Sequence, residues 1–201
     1  MQRRRNPSQQ RSQERVSLIL KSTREILRTA GIGAVTTNAI AARAGIPVSS
    51  IYQYFPNKEE ILCALYEDYL ADITRVLDEF VAAERLDQPW EDFFTSFIRA
   101  IYRQETRDHI ESELENALVL FPELMALELA HRETMANSLA DILHQLGSSL
   151  PRKRLRRIGM FIYEINNAVW RYRSSYPTPA RDHLDWGTAA VLGVVRQCMP
   201  D

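Results

Sequence analysis

Glu128 and His131, and Asp141 and His144, each place a carboxylate and an imidazole within one helical turn. Such a pair can hold a metal or pass a proton if a third group joins it. The two pairs start thirteen residues apart. At about 100° per residue they lie about 140° apart around one helix and cannot share an ion on it. Ordinary surface or pocket polarity is the other reading of both. Cys63 and Cys198 have no second Cys or His beside them at zinc-ligand spacing, which fits a reducing compartment and no disulfide framework. Gly31-Ile32-Gly33 begins a G-x-G, but Thr36 occupies the third glycine position and no strand precedes it. Neither a Walker sequence nor a G-x-S-x-G occurs, so no catalytic residues, no metal site and no cofactor are expected.

Charge is more informative than catalysis. Residues 1–58 hold ten Lys/Arg and two acids, a net +8, while residues 59–201 hold fifteen basic and twenty-four acidic groups, a net −9. A chain divided this way has one end suited to a polyanion. Within the basic end, Pro47-Val48-Ser49-Ser50 is a small polar set, followed by Tyr52, Gln53, Tyr54 and Lys58. Small residues at the start of a helix permit close approach to base edges in the major groove, and Gln pairs bidentately with adenine. Thr and Tyr hydroxyls bond phosphates, which fixes register without reading sequence.

The elements that must position these groups are helical. The chain has 201 residues, 45% hydrophobic, with seven Gly and nine Pro, which is ordinary for a folded chain and poor in the turns an all-β sandwich needs. Residues 1–12 are polar and basic and are expected to form a flexible arm, with Arg3-Arg4-Arg5 able to reach a minor groove or simply to be solvated. From Gln13 an apolar stripe runs through Val16, Ile19, Leu20, Ile26 and Leu27 until Gly31 and Gly33 stop it. Thr36 and Thr37 offer caps to a short helix ended by Gly45, and a second short helix closes at Pro56. Asn57 caps a long helix from Lys58, and about five more helices follow, with Pro177 and Pro179 in the last linker. No segment alternates with period two. The fold class predicted is all-α, about nine helices.

The stretch GAVTTNAIAARAGIPVSSIYQYFPNKEEIL, residues 33–62, resembles the DNA-binding domain of the TetR family of bacterial transcriptional regulators. The matched frame is the Thr pair, Ile40-Ala41, Ala44-Gly45-Ile46, Tyr52, Phe55 and Lys58-Glu59. With the first helix the resemblance extends over residues 13–62. It implies a three-helix helix-turn-helix head at 13–57 and a larger helical effector-binding and dimerisation domain at 58–201. It also implies phosphate contacts from Thr36, Thr37, Tyr52, Tyr54 and Lys58, and base-facing positions at Asn38, Pro47, Val48, Ser49, Ser50 and Gln53. Pro47 and Ser49 replace the family's commoner Ser/Thr and Gly, which bears on the operator sequence.

For the rest of the chain the resemblance implies a homodimer on double-stranded, palindromic DNA, without membrane attachment. Ile158, Ile162 and Ile165 on the penultimate helix, with Trp186, Ala190, Gly193 and Val194 on the last, are the expected dimer interface. An unidentified small-molecule effector is expected against Tyr66, Tyr69, Phe97, Leu118, Met125, Glu128, Tyr163, Asn166 and Trp170. The function so implied is a repressor released from its operator by that effector. An activator or effector-independent regulator of the same family is the alternative, ahead of a helical enzyme or adaptor. The opening MQRRRNPSQQRSQER has no apolar run behind its charge, so no secretory signal and a cytoplasmic location are expected.

Overall fold

A computed structural model describes residues 7–82, 85–105, 111–176 and 182–200. Among these there is no strand, and nine α-helices follow one another: α1 Pro7–Ala30, α2 Thr37–Ala44, α3 Val48–Tyr52, α4 Lys58–Ala82, α5 Trp90–Glu105, α6 Glu111–Leu120, α7 Pro122–Gln145, α8 Arg152–Ser175 and α9 Asp182–Arg196. The all-α expectation holds. The arm does not hold as drawn, because residues 7–12 are already the first turns of α1. Pro7 suits the first helical position, where a missing N–H costs nothing, and Gln10 Nε2 donates to Glu14 Oε1 one turn on at 3.1 Å. Arg3, Arg4 and Arg5 lie outside the described residues, as do Pro177 and Pro179.

The chain divides into two compact units. One is Met1–Tyr69 with His109–Leu127; the other is Leu70–Asp108 with Glu128–Asp201. This differs from a division at residue 57: α6 and the start of α7 group with the head. The reason is a bond that spans 81 residues of sequence. The backbone N–H of Ile32, in the turn after α1, donates to Glu113 Oε2 on α6 at 2.8 Å. Below it, Ile19, Ile26 and Leu27 of α1, Ile40 of α2, Ile51 of α3, Ile61, Leu62 and Leu65 of α4 and Leu114 of α6 are all buried. Thr23 is buried among them, its hydroxyl satisfied by Ile19 O at 2.9 Å. Glu113→Ala is expected to leave the Ile32 N–H without its charged acceptor and to cost about 1–2 kcal/mol. Urea unfolding of the whole chain measures it; an unchanged midpoint would dismiss the bond as incidental.

The second unit is packed on aromatics and on close helix contacts. Phe80 meets Phe97 edge-on at 5.7 Å, and Phe93 stacks on Phe97 at 6.1 Å. On α8, a Cβ added to Gly159 would stand 2.6 Å from the carbonyl oxygen of Ala136, so only glycine lets α8 sit this close to α7. Ser148 Oγ donates to Cys198 O at 2.6 Å and ties the α7–α8 turn to the C-terminal end of α9. No described helix is long and apolar enough to cross a membrane.

Candidate nucleic-acid interface

Thr36 caps α2: its backbone is extended, and its hydroxyl accepts from Ala39 N–H at 3.1 Å. Gly45 ends α2 at φ 65°, a left-handed turn that costs glycine nothing, and the backbone N–H of Ile46 donates to Ala41 O at 3.1 Å. Four residues later the chain is in α3. Pro47 stands at its N-cap, extended, with its carbonyl accepting from Ser50 N–H at 2.9 Å. Ile40, Ala41, Ile51 and Phe55 are buried, which fixes α3 against α2 through its inward side. Asn57 Oδ1 accepts from Glu60 N–H at 2.8 Å and starts α4.

With those positions inside, the others must face out. Asn38, Pro47, Val48, Ser49, Tyr52 and Gln53 are exposed; Thr37, Ser50, Tyr54 and Lys58 are half-buried. Thr37 Oγ1 and Tyr52 OH share a hydrogen bond of 3.2 Å across α2 and α3, so two expected phosphate ligands hold each other in place. The Lys58 ammonium lies 5.4 Å from the centre of the Phe121 ring, which orients its stem. Arg43, exposed on α2, pairs with Glu25 of α1 at 3.5 Å.

The nine expected effector residues fall in both units. In the first, Tyr66 is buried and stacks on Tyr69 at 5.9 Å, Leu118 is half-buried and Met125 is exposed. In the second, Phe97 is spent in the aromatic core, while Glu128, Tyr163, Asn166 and Trp170 lie on α7 and α8. Glu128 is 6% exposed and accepts from Tyr163 OH at 3.0 Å. Burial and the Glu128 carboxylate both push the Tyr163 phenol far above its ordinary range, so it stays a donor. Arg132 is 2.9 Å from Glu164 and only 3.7 Å from Glu128. His131, absent from the expected set, is 8% exposed with its ring edge-on to Tyr163 at 5.9 Å. Burial pushes its pKa down from 6.5 to about 4, and its Nε2 has no hydrogen-bond partner. The sequence signal was present, since Glu128 and His131 share a helical face; what it lacked was the neighbouring Tyr163. Asp141, the other candidate beside a histidine, is held by Arg152 at 2.9 and 3.0 Å instead. No group of three His, Cys, Asp or Glu fit for a metal exists among the described residues.

On α8 and α9, Trp186 (61% exposed), Ala190 and Gly193 are open, and Ile158, Ile165 and Val194 are half-buried. Ile162 departs from the expected interface: it is buried in the unit's own core. Steps of three and four from Ile158 lead outward to Phe161, 56% exposed, and then to Ile165, which leaves Ile162 on the inner side.

Two short helices on a buried hinge, with the polar face of the second open to solvent, form a helix-turn-helix head. Residues 19–65 match the family model of bacterial regulatory proteins of the tetR family. The head of this chain is therefore similar to the DNA-binding domain of that family. No curated protein sequence matches it. Solved structures share its fold. A TetR-family transcriptional regulator from Streptomyces coelicolor is 19% identical, with TM-score 0.67, over 92% of this chain and 99% of that one. One of the same family from Syntrophomonas wolfei is 15% identical, with TM-score 0.74, over 92% and 96%. The multidrug binding protein EbrR, complexed with ethidium, is 16% identical, with TM-score 0.68, over 90% and 98%.

Proposed function

We propose that this protein is a cytoplasmic homodimeric repressor that holds a palindromic operator and is released from it by a small molecule. The exposed polar start of α3 on its buried hinge carries the DNA part of this reading. Two heads in a dimer would enter successive major grooves about 34–36 Å apart or slightly more. The open α8–α9 face, with Trp186, Ala190 and Gly193, supports pairing of two chains. The polar groups of buried Glu128 and Trp170 and half-buried Tyr163 in the second unit support a ligand there, and a protein of the same fold is known complexed with ethidium. A ligand that binds one dimer geometry better than the other shifts the population toward it and away from the spacing the operator needs. No reaction is assigned to the chain.

Footprinting over a salt series tests the DNA reading. Affinity is expected to fall with log salt at a slope of about −0.9 per phosphate neutralised, and a flat response would remove the electrostatic basis of the head. Gln53→Ala is expected to lose roughly 1–3 kcal/mol of preference at one base position with the salt slope kept. Lys58→Ala should weaken all DNA sequences alike and make the slope shallower by about one contact. If Gln53→Ala keeps every base preference, Gln53 reads nothing.

A further inference from the structure

Lys58 is the first residue of α4, with Glu59 and Glu60 beside it in the opening turn. A helix start disfavours a cation, so Lys58 gains nothing from the dipole of the helix it begins. Among the described residues no carboxylate pairs with it. Its ammonium is met instead by the Phe121 ring, 5.4 Å from the centroid. Both residues belong to the first unit. Phe121 is the single residue between α6 and α7, and its backbone is bonded on both sides. Its N–H closes α6 by donating to Ala117 O at 2.9 Å, and its carbonyl opens α7 by accepting from Leu124 N–H at 3.1 Å. The neighbouring Val119 and Leu120 are exposed, whereas Phe121 is half-buried with its ring toward Lys58.

A ring and a carboxylate restrain a cation in different ways. A carboxylate offsets the charge it holds, as Glu25 does for Arg43 on α2. The face of an aromatic ring attracts an ammonium through its quadrupole and carries no net charge. The N–H groups on the side away from the ring stay free to donate. A lysine left free gives up its rotamer freedom when a phosphate fixes it, and one already held has given up part of it beforehand. We propose that Phe121 is a positioning residue for DNA: its ring holds the Lys58 ammonium in place for a phosphate and leaves the charge undiminished. This rests on the DNA reading of the head. It makes the α6–α7 junction, which no DNA contact reaches, a determinant of affinity.

Binding of the full-length protein to a mixed-sequence DNA duplex, followed by fluorescence anisotropy over a salt series, tests this, because a phosphate contact serves every sequence. Phe121→Leu keeps apolar bulk and removes the ring. It is expected to weaken binding about twofold to fivefold, the equivalent of one exposed cation–π contact, and to bring the salt slope toward that of Lys58→Ala. Phe121→Tyr keeps the ring and should bind as the parent does. In a Lys58→Ala chain, Phe121→Leu should change nothing further, a result that damage to the fold would not give. Before DNA is added, NMR of the parent should show the Lys58 ε-methylene shifted upfield by the ring. Phe121→Leu should return it to the position of Lys21 and Lys153, the other two lysines of the chain.

An unshifted methylene in the parent overturns the proposal without any variant. Parental affinity in Phe121→Leu, equal loss from Phe121→Leu with and without Lys58, or a Phe121→Tyr chain as weak as Phe121→Leu also overturns it. If the parent binds the duplex and Lys58→Ala binds equally well, the DNA reading stands and this proposal fails. If the methylene is shifted and the parent binds no duplex, the contact is real, the DNA reading fails, and the proposal falls with it.

Discussion

Gly193→Asp is expected to turn the dimer into a folded monomer that no longer holds a specific operator. Nothing lies within 4 Å of where a Cβ would stand at Gly193, and the residue is exposed on α9. Within one chain an aspartate therefore has room, and it replaces a residue that is itself costly in a helix interior. If two chains pair through this face, the aspartate would be buried between them, and a buried carboxylate costs several kcal/mol unless it is paired. Ala190→Asp, one turn earlier and also exposed, should act in the same way. Sedimentation at micromolar concentration should show monomer, helical content should stay, and footprinting should fail because two half-sites need two linked heads. An unchanged dimer would show that α9 is not where the chains meet.

The second large effect concerns acid. Folded His131 takes up a proton only near pH 4, whereas in the unfolded chain it does so near 6.5. Between these values the unfolded state binds more protons, so stability rises with pH there. The contribution is complete above about pH 6.5 and is lost as pH falls toward 4; the shift corresponds to about 3 kcal/mol. Glu128, Arg132, Tyr163 and Glu164 surround the ring or its neighbours, but a His131→Gln chain keeps all of them. Its unfolding free energy should therefore fall by roughly 3 kcal/mol less than that of the parent between pH 7 and pH 4. Parallel pH profiles for the two chains would mean that His131 titrates in the fold as it does in water.

The head could be read from sequence because its signals are local. Thr36 caps within three residues, Gly45 turns within one, and Ile40, Ile51 and Phe55 declare their side by spacing alone. The start of α1 was misplaced because Pro7 and the polar residues after it look alike in a helix and in a free arm; in the structure Gln10 and Glu14 bond one turn apart on α1. Glu113 was invisible for another reason: nothing near it in sequence says that its carboxylate closes a turn made 81 residues earlier. Ile162 was assigned outward because isoleucines at three-residue and four-residue steps fill either side of a helix that is apolar on more than one face. His131 was seen and set aside, since an imidazole one turn from a carboxylate is common on helix surfaces and only its burial beside Tyr163 distinguishes it.

The bond from Ile32 to Glu113 also orders events during synthesis. A ribosome adding roughly 5–20 residues per second needs about 4–16 s to go from the first partner to the second. Throughout that interval the backbone N–H of Ile32 is without its carboxylate acceptor. The turn after α1 therefore gains its last acceptor only once about half of the chain has been made, long after α2 and α3 have their own buried contacts.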